Sequence, residues 1–168
     1  MRVALAIAVP LAAALLQASV VPFMAIAGGR PNLPLLVAAS WSIAAGAREG
    51  VWWAFVGGLA ADLLSGGPLG ALALASLAPV AAVGLGETSA ARPRPVLGGA
   101  VLVGVATLAA GILYLVLLVI VGQSLSEPAL LAGAAAAGGV YNGVLAIATY
   151  PIARWVRHMT EKQASFGW

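Results

Sequence analysis

Apolar residues run in long unbroken stretches along this chain, and polar positions fall in short clusters between them. A helix crossing hydrocarbon needs about 20 apolar residues, and Gly, Pro and charge clusters mark where such a run ends. Six stretches qualify, at about residues 3–27, 33–47, 50–64, 69–86, 95–122 and 128–156. None alternates with a period of two, so they read as helices and not as barrel strands. The pattern predicts an all-α integral membrane protein: one compact bundle of about six transmembrane helices over residues 1–156, then a short basic tail, 157–168. Arg48 and Glu49 mark the hairpin between the second and third stretches, and the polar link from Glu87 to Pro95 separates the fourth from the fifth.

Composition removes the soluble alternatives. Of the 168 residues, 62% are hydrophobic and 8% charged, against roughly a quarter charged in soluble domains. A domain of this size cannot bury that much apolar surface, so the excess must face lipid. The net charge of +3 sorts by membrane side and signals topology, with no nucleic-acid partner implied. Short cytoplasmic loops are rich in Lys and Arg. Placing both termini in the cytoplasm puts Arg2, Arg48, Arg92, Arg94, Arg154, Arg157 and Lys162 inside and leaves only Arg30 outside.

Two features test that assignment. The second and third stretches are barely long enough to cross, and a re-entrant hairpin there would move Arg48 outside while leaving later segments unchanged. Full spans keep the stronger charge bias. Ala25-Ile26-Ala27 fits a signal-peptidase pattern, but the apolar run before it far exceeds the roughly 7–15 residues of a signal peptide. It is read as the first span.

Candidate chemistry is sparse. There is no cysteine, and the single histidine, His158, sits in the basic tail without a second ligand, so no metal site, catalytic triad or cofactor is expected. Ser65-Gly66-Gly67-Pro68-Leu69-Gly70 lacks the Lys-Ser/Thr ending of a phosphate loop and reads as a tight turn. Trp52 and Trp53 beside Arg48, and Trp155 between Arg154 and Arg157, are expected as anchors at the lipid interface. Asp62 is the acid inside an otherwise apolar segment, where an ionised carboxylate costs roughly 2.5–3.5 kcal/mol at the bilayer centre. It either accepts backbone N–H groups of the following turn or the fourth helix, or serves an ion relay or a pair with Arg30. Asn142 is expected to bond a neighbouring helix. Pro10, Pro22 and Pro79 and the pairs Gly57-Gly58 and Gly138-Gly139 imply kinked, closely packed helices. Gly57, Gly58, Gly139 and Gly143 offer small-residue faces for helices of this chain or for a partner helix. Oligomeric state stays open.

Several runs carry a family resemblance. Pro31-Asn32-Leu33-Pro34-Leu35-Leu36, Arg48-Glu49-Gly50, Gly57-Gly58-Leu59 and Asp62-Leu63-Leu64-Ser65-Gly66-Gly67-Pro68-Leu69-Gly70 resemble the rod shape-determining MreD family, most clearly over residues 31–70. The resemblance implies a non-enzymatic subunit of the bacterial cell-elongation machinery in the inner membrane. Its implied partners are lipid, the single transmembrane helix of MreC and, through MreC, MreB, the elongation transglycosylase and the elongation penicillin-binding protein. A more distant similarity, to the substrate-binding subunits of energy-coupling-factor vitamin transporters, supplies the alternative. It would require Gln17, Trp41, Ser42, Tyr114 and Asn142 to converge on a pocket.

Overall fold

The structure, a computed structural model, describes residues 2–25, 28–85 and 94–164. Among these residues are six α-helices: α1 (Arg2–Ser19), α2 (Leu33–Ala45), α3 (Ala47–Ser65), α4 (Ala71–Leu85), α5 (Val96–Ile120) and α6 (Pro128–Ala164). A single 3-10 turn, Val21–Phe23, follows α1.

α5 and the Pro128–Thr160 part of α6 are long and apolar enough to cross a bilayer, yet only 22% of the apolar window in each is buried by the protein. The core helix of a soluble domain would be covered on most sides. Val101, Val105, Ile120, Val140 and Val144 are all more than half exposed, an arrangement that hydrocarbon satisfies and water does not.

α2 forms the axis of the bundle. It touches each of the other five helices, and ten of its 13 residues are buried. Around it α1 packs on α3, α3 on α4, α4 on α5 and α5 on α6. At about 1.5 Å per residue α2 is only about 20 Å long. Asn32, just before it, bonds to Asn142, about 21 Å along α6 from that helix's first residue. The chain leading into α2 is therefore sunk between its neighbours, with Gly29 set against Ala137 and the Arg30 carbonyl close to Gly138.

Helix ends depart from the sequence expectation in three places. The first helix stops at Ser19 rather than near residue 27, because Pro22 has no N–H with which to continue the α-helical ladder, and the chain passes instead into the 3-10 turn Val21–Phe23. Pro10, by contrast, is accommodated inside α1. The hairpin between α2 and α3 is the single residue Gly46, at φ 102° and ψ 160°, a backbone conformation open to glycine. Arg48 and Glu49 consequently lie in the first turn of α3, not in a loop. α6 continues past residue 156 to Ala164, since nothing between Val156 and Gln163 breaks a helix. The basic-link residue Arg92, together with Glu87, lies outside the described residues.

Candidate functional site

Two helix starts at one end of the bundle are held by side chains from elsewhere in the chain. α3 ends at Ser65 with Gly66 in the left-handed conformation, φ 69°, the usual way a helix hands over to a turn. The turn closes through the Ala71 N–H on the Pro68 carbonyl at 3.2 Å, and Gly70, at φ 85°, opens α4. This compact return brings Asp62 under the first turn of α4. Its carboxylate accepts the Leu72 N–H on both oxygens, each at 3.2 Å, and the Ala73 N–H on Oδ2 at 3.3 Å. Asp62 is 2% exposed. The N–H groups that no intrahelical carbonyl can reach, and the positive end of the α4 dipole, are what make a carboxylate tolerable there.

The second clamp holds the sunken approach to α2. Asn32 caps that helix, its Oδ1 accepting the Leu35 N–H at 3.2 Å. Its backbone is held in turn by Asn142: the Asn32 N–H donates to Asn142 Oδ1 at 3.1 Å, and Asn142 Nδ2 donates to the Asn32 carbonyl at 2.9 Å. The remaining Nδ2 proton goes to Thr107 Oγ1 at 3.0 Å. From α1, Gln17 Nε2 donates to the Pro31 carbonyl and Gln17 Oε1 accepts the Leu33 N–H at 2.8 Å. Non-helical backbone inside an apolar bundle needs such partners. Asn142 and Thr107, polar residues midway along two long apolar helices, supply them. Gln17, Arg30, Asn32, Asp62, Thr107 and Tyr114 line a cavity of about 550 Å³ between these clamps.

The glycines singled out from the sequence are engaged in internal packing. A Cβ on Gly58 would lie 2.6 Å from the Ala73 Cα, and one on Gly57 would lie 3.1 Å from Pro34 Cβ and 3.3 Å from Pro10 Cβ. Both positions are closed to a partner helix, which corrects the expectation that their face is available for one. Gly139 meets Gly104 across the seam between α5 and α6, where a Cβ added to either would lie 3.0 Å from the other's carbonyl oxygen, and Gly143 sits against Ala100 and Gly104. On the outside of that seam Gly104, Gly139 and Gly143 floor a shallow apolar groove walled by Val101, Val140 and Val144.

At the Gly46 end the expected anchors divide. Trp52 and Trp155 are 51% and 61% exposed, as lipid-facing rings require. Trp53 is not an anchor: it is 5% exposed and stacks on Trp41 with ring centroids 4.5 Å apart. Residues 52 and 53 point about 100° apart on a helix, so one faces out and its neighbour faces in. Trp41 Nε1 donates to Glu49 Oε2 at 3.0 Å. Arg157 donates to the Ala44 carbonyl, so this cation holds the end of α2, where the helix dipole favours positive charge. Arg154 lies over the Tyr150 ring, 5.7 Å from its centroid.

Of the five side chains proposed for a vitamin pocket, Gln17 and Tyr114 line the cavity between the clamps and Asn142 bonds its lining residues Asn32 and Thr107, while Trp41 and Ser42 are not among its lining. Gln17 and Asn142 serve the α2 approach, Trp41 holds Glu49, and Ser42 donates to the Val80 carbonyl at 2.7 Å. Sequence reasoning missed Thr107 and the structural part played by Gln17. Both become legible once the Pro31-Asn32-Leu33-Pro34 run is seen to need partners for its backbone. Among the described residues no group of three or more His, Cys, Asp or Glu side chains is placed to hold a metal, and no buried side-chain nitrogen or oxygen lacks a partner.

Comparison with curated proteins yields no match, and comparison with solved structures yields none either. Residues 1–154 match the family described as rod shape-determining protein MreD. That match runs from α1 through the apolar part of α6 and takes in both clamps, so the chain belongs to the MreD family, whose members are membrane proteins of rod-shape determination and not enzymes.

Proposed function

We propose that this protein is an intramembrane scaffold of the cell-elongation machinery in the bacterial inner membrane, with six spans, both termini cytoplasmic, and the transmembrane helix of MreC as its direct partner. MreB, the elongation transglycosylase and the elongation penicillin-binding protein are reached through MreC. The observation carrying this reading is the division of chemistry within the bundle. Buried polar side chains such as Asp62 and Asn142 are spent on the protein's own backbone, while the large side chains left exposed on α5, and on α6 as far as Trp155, are apolar. A protein built this way recognises other helices by shape.

The groove over the α5 and α6 seam suits such a guest. Its glycine floor permits close approach, and its valine walls supply the ridges on which helices pack in lipid. Val140→Trp, at a position 71% exposed, should fill the groove without touching the core and reduce co-purification of MreC from detergent. Leu74→Ile, on the exposed face of α4, should leave it unchanged. Retention of MreC by Val140→Trp would remove the groove from the interface. Nanomolar vitamin binding by a protein that ignores MreC would replace the scaffold reading by the transporter one.

Orientation has its own test, made simple by the absence of native cysteine. Single cysteines replacing Glu49, Arg92 or Gln163 should resist an impermeant thiol reagent outside intact cells, while those replacing Gly66 or Ser126 should react. Labelling at position 49 alone would favour a re-entrant hairpin for α2 and α3. Labelling at position 92 would invert the assignment.

A further inference from the structure

We propose that the cavity between the two clamps is a binding site for a zwitterion that carries a primary ammonium and an oxyanion a few bonds apart. The cavity encloses about 550 Å³, within the roughly 300–1,000 Å³ of small-molecule sites. Small residues, Ala14, Ala18, Ala61, Gly111 and Ala135 among them, make up much of its wall and leave the space unfilled. The neutral polar groups on it are largely spent inside the protein. Gln17 bonds the Pro31 carbonyl and the Leu33 N–H, Thr107 donates to the Val103 carbonyl at 2.8 Å, and Ser65 donates to the Asp62 carbonyl at 3.2 Å.

Two kinds of unspent group remain, on different elements. On the approach to α2, Arg30 makes no hydrogen bond or ion pair among the described residues, and the Asn32 amide Nδ2 donates to none of them. The pair between Asp62 and Arg30 that the sequence left open is therefore not formed. On α3, Asp62 receives three N–H contacts, where a carboxylate offers about four lone-pair sites. On α5, the Tyr114 hydroxyl has no partner among the described residues and lies 3.5 Å from where a Cβ on Gly67 would stand. One part of the lining thus offers donors and a positive charge, and the other offers acceptors and a negative one. A ligand with a single charge leaves one part facing a like charge, and in a bundle surrounded by lipid that repulsion is weakly screened. A zwitterion satisfies both. Its oxyanion pairs with the guanidinium, and its ammonium, which has three donors and no acceptor, takes the free acceptor sites of Asp62 and Tyr114. A lipid headgroup and a soluble zwitterion share this chemistry.

The site rests on the membrane reading of the chain but is independent of MreC. The purified full-length protein in detergent should be offered phosphatidylethanolamine or phosphatidylglycerol of matched acyl chains, with retained lipid counted by native mass spectrometry. The soluble heads, glycerophosphoethanolamine and glycerophosphoglycerol, should be compared by the shift in thermal midpoint. The ethanolamine member should be preferred in at least one pair. A preference among the soluble heads assigns a free zwitterion, and a preference confined to the lipids assigns a headgroup. Arg30→Gln should weaken binding of the preferred ligand about fivefold. Asp62→Asn, which keeps an acceptor for the α4 cap, should abolish the preference while the protein stays folded, and Tyr114→Phe should reduce it. Arg48→Gln, in the first turn of α3 at the opposite end of the bundle, should change nothing. Equal responses to both members of both pairs, or a preference that survives intact in Asp62→Asn, would overturn the proposal. Loss of MreC co-purification with the preference intact would instead count against the scaffold reading alone.

Discussion

Replacing Gly58 with leucine should remove most of the folded protein from the membrane. A Cβ there would stand 2.6 Å from the Ala73 Cα and 2.9 Å from the Ala73 nitrogen. These are backbone atoms of α4, which no rotamer change can move. Overpacking a fitted contact costs about 1–3 kcal/mol when side chains can yield, and here a whole helix must shift. The Ala73 N–H also donates to Asp62, so the displacement that relieves the clash pulls on the cap of α4. Gly57→Ala is the contrasting case. Its Cβ would meet the Pro34 and Pro10 rings at 3.1 and 3.3 Å, contacts that yield by a few tenths of an ångström, and it should lower thermal stability only slightly. Membrane abundance and the thermal midpoint of the detergent-extracted protein measure both. Gly58→Leu protein of normal abundance and stability that fails to hold MreC would show that this face meets a partner after all.

Asp62→Leu should cost about 2–3 kcal/mol, with Asp62→Asn far milder. The leucine removes a helix cap, worth about 0.5–2 kcal/mol. It also leaves the Leu72 and Ala73 N–H groups facing apolar side chains, at a further penalty of about 1–3 kcal/mol for a buried donor without an acceptor. Asparagine keeps one acceptor oxygen where the carboxylate has two, so the shared arrangement on Leu72 and Ala73 is reduced rather than lost. The two costs of the leucine overlap, because both begin from the same orphaned donors. Cell-shape complementation and membrane abundance should fall together for leucine and stay largely intact for asparagine. Equal, complete loss of function in both variants at normal abundance would instead assign Asp62 to an ion relay.

These two residues show where reading the chain in one dimension succeeds and where it stops. Asp62 was legible: an acid in an apolar run, eight residues before the Gly70 that opens the next helix, must find donors nearby, and a tight turn places the next helix start beside it. Trp52 was legible for the same local reason, lying next to Arg48 at a helix end. Gly58 was legible only as a place of close approach, because a missing side chain says that something comes near without saying what. Trp53 differed from Trp52 by one position, and only the direction of the α3 face toward Trp41 separated an anchor from a core residue.

Run length and breakers were enough for the membrane class and the six helices, since hydrocarbon imposes its requirement on each segment separately, while the MreD resemblance rested on the motifs between Pro31 and Gly70. The central position of α2 was decided by tertiary structure alone. Its apolar run looks like the others in sequence, and it becomes the axis only because Asn142, Thr107 and Gln17, distant along the chain, satisfy the backbone that leads into it. Partner choice among polar groups depends on which helices become neighbours, and that is a property of the whole packed bundle, absent from any one segment.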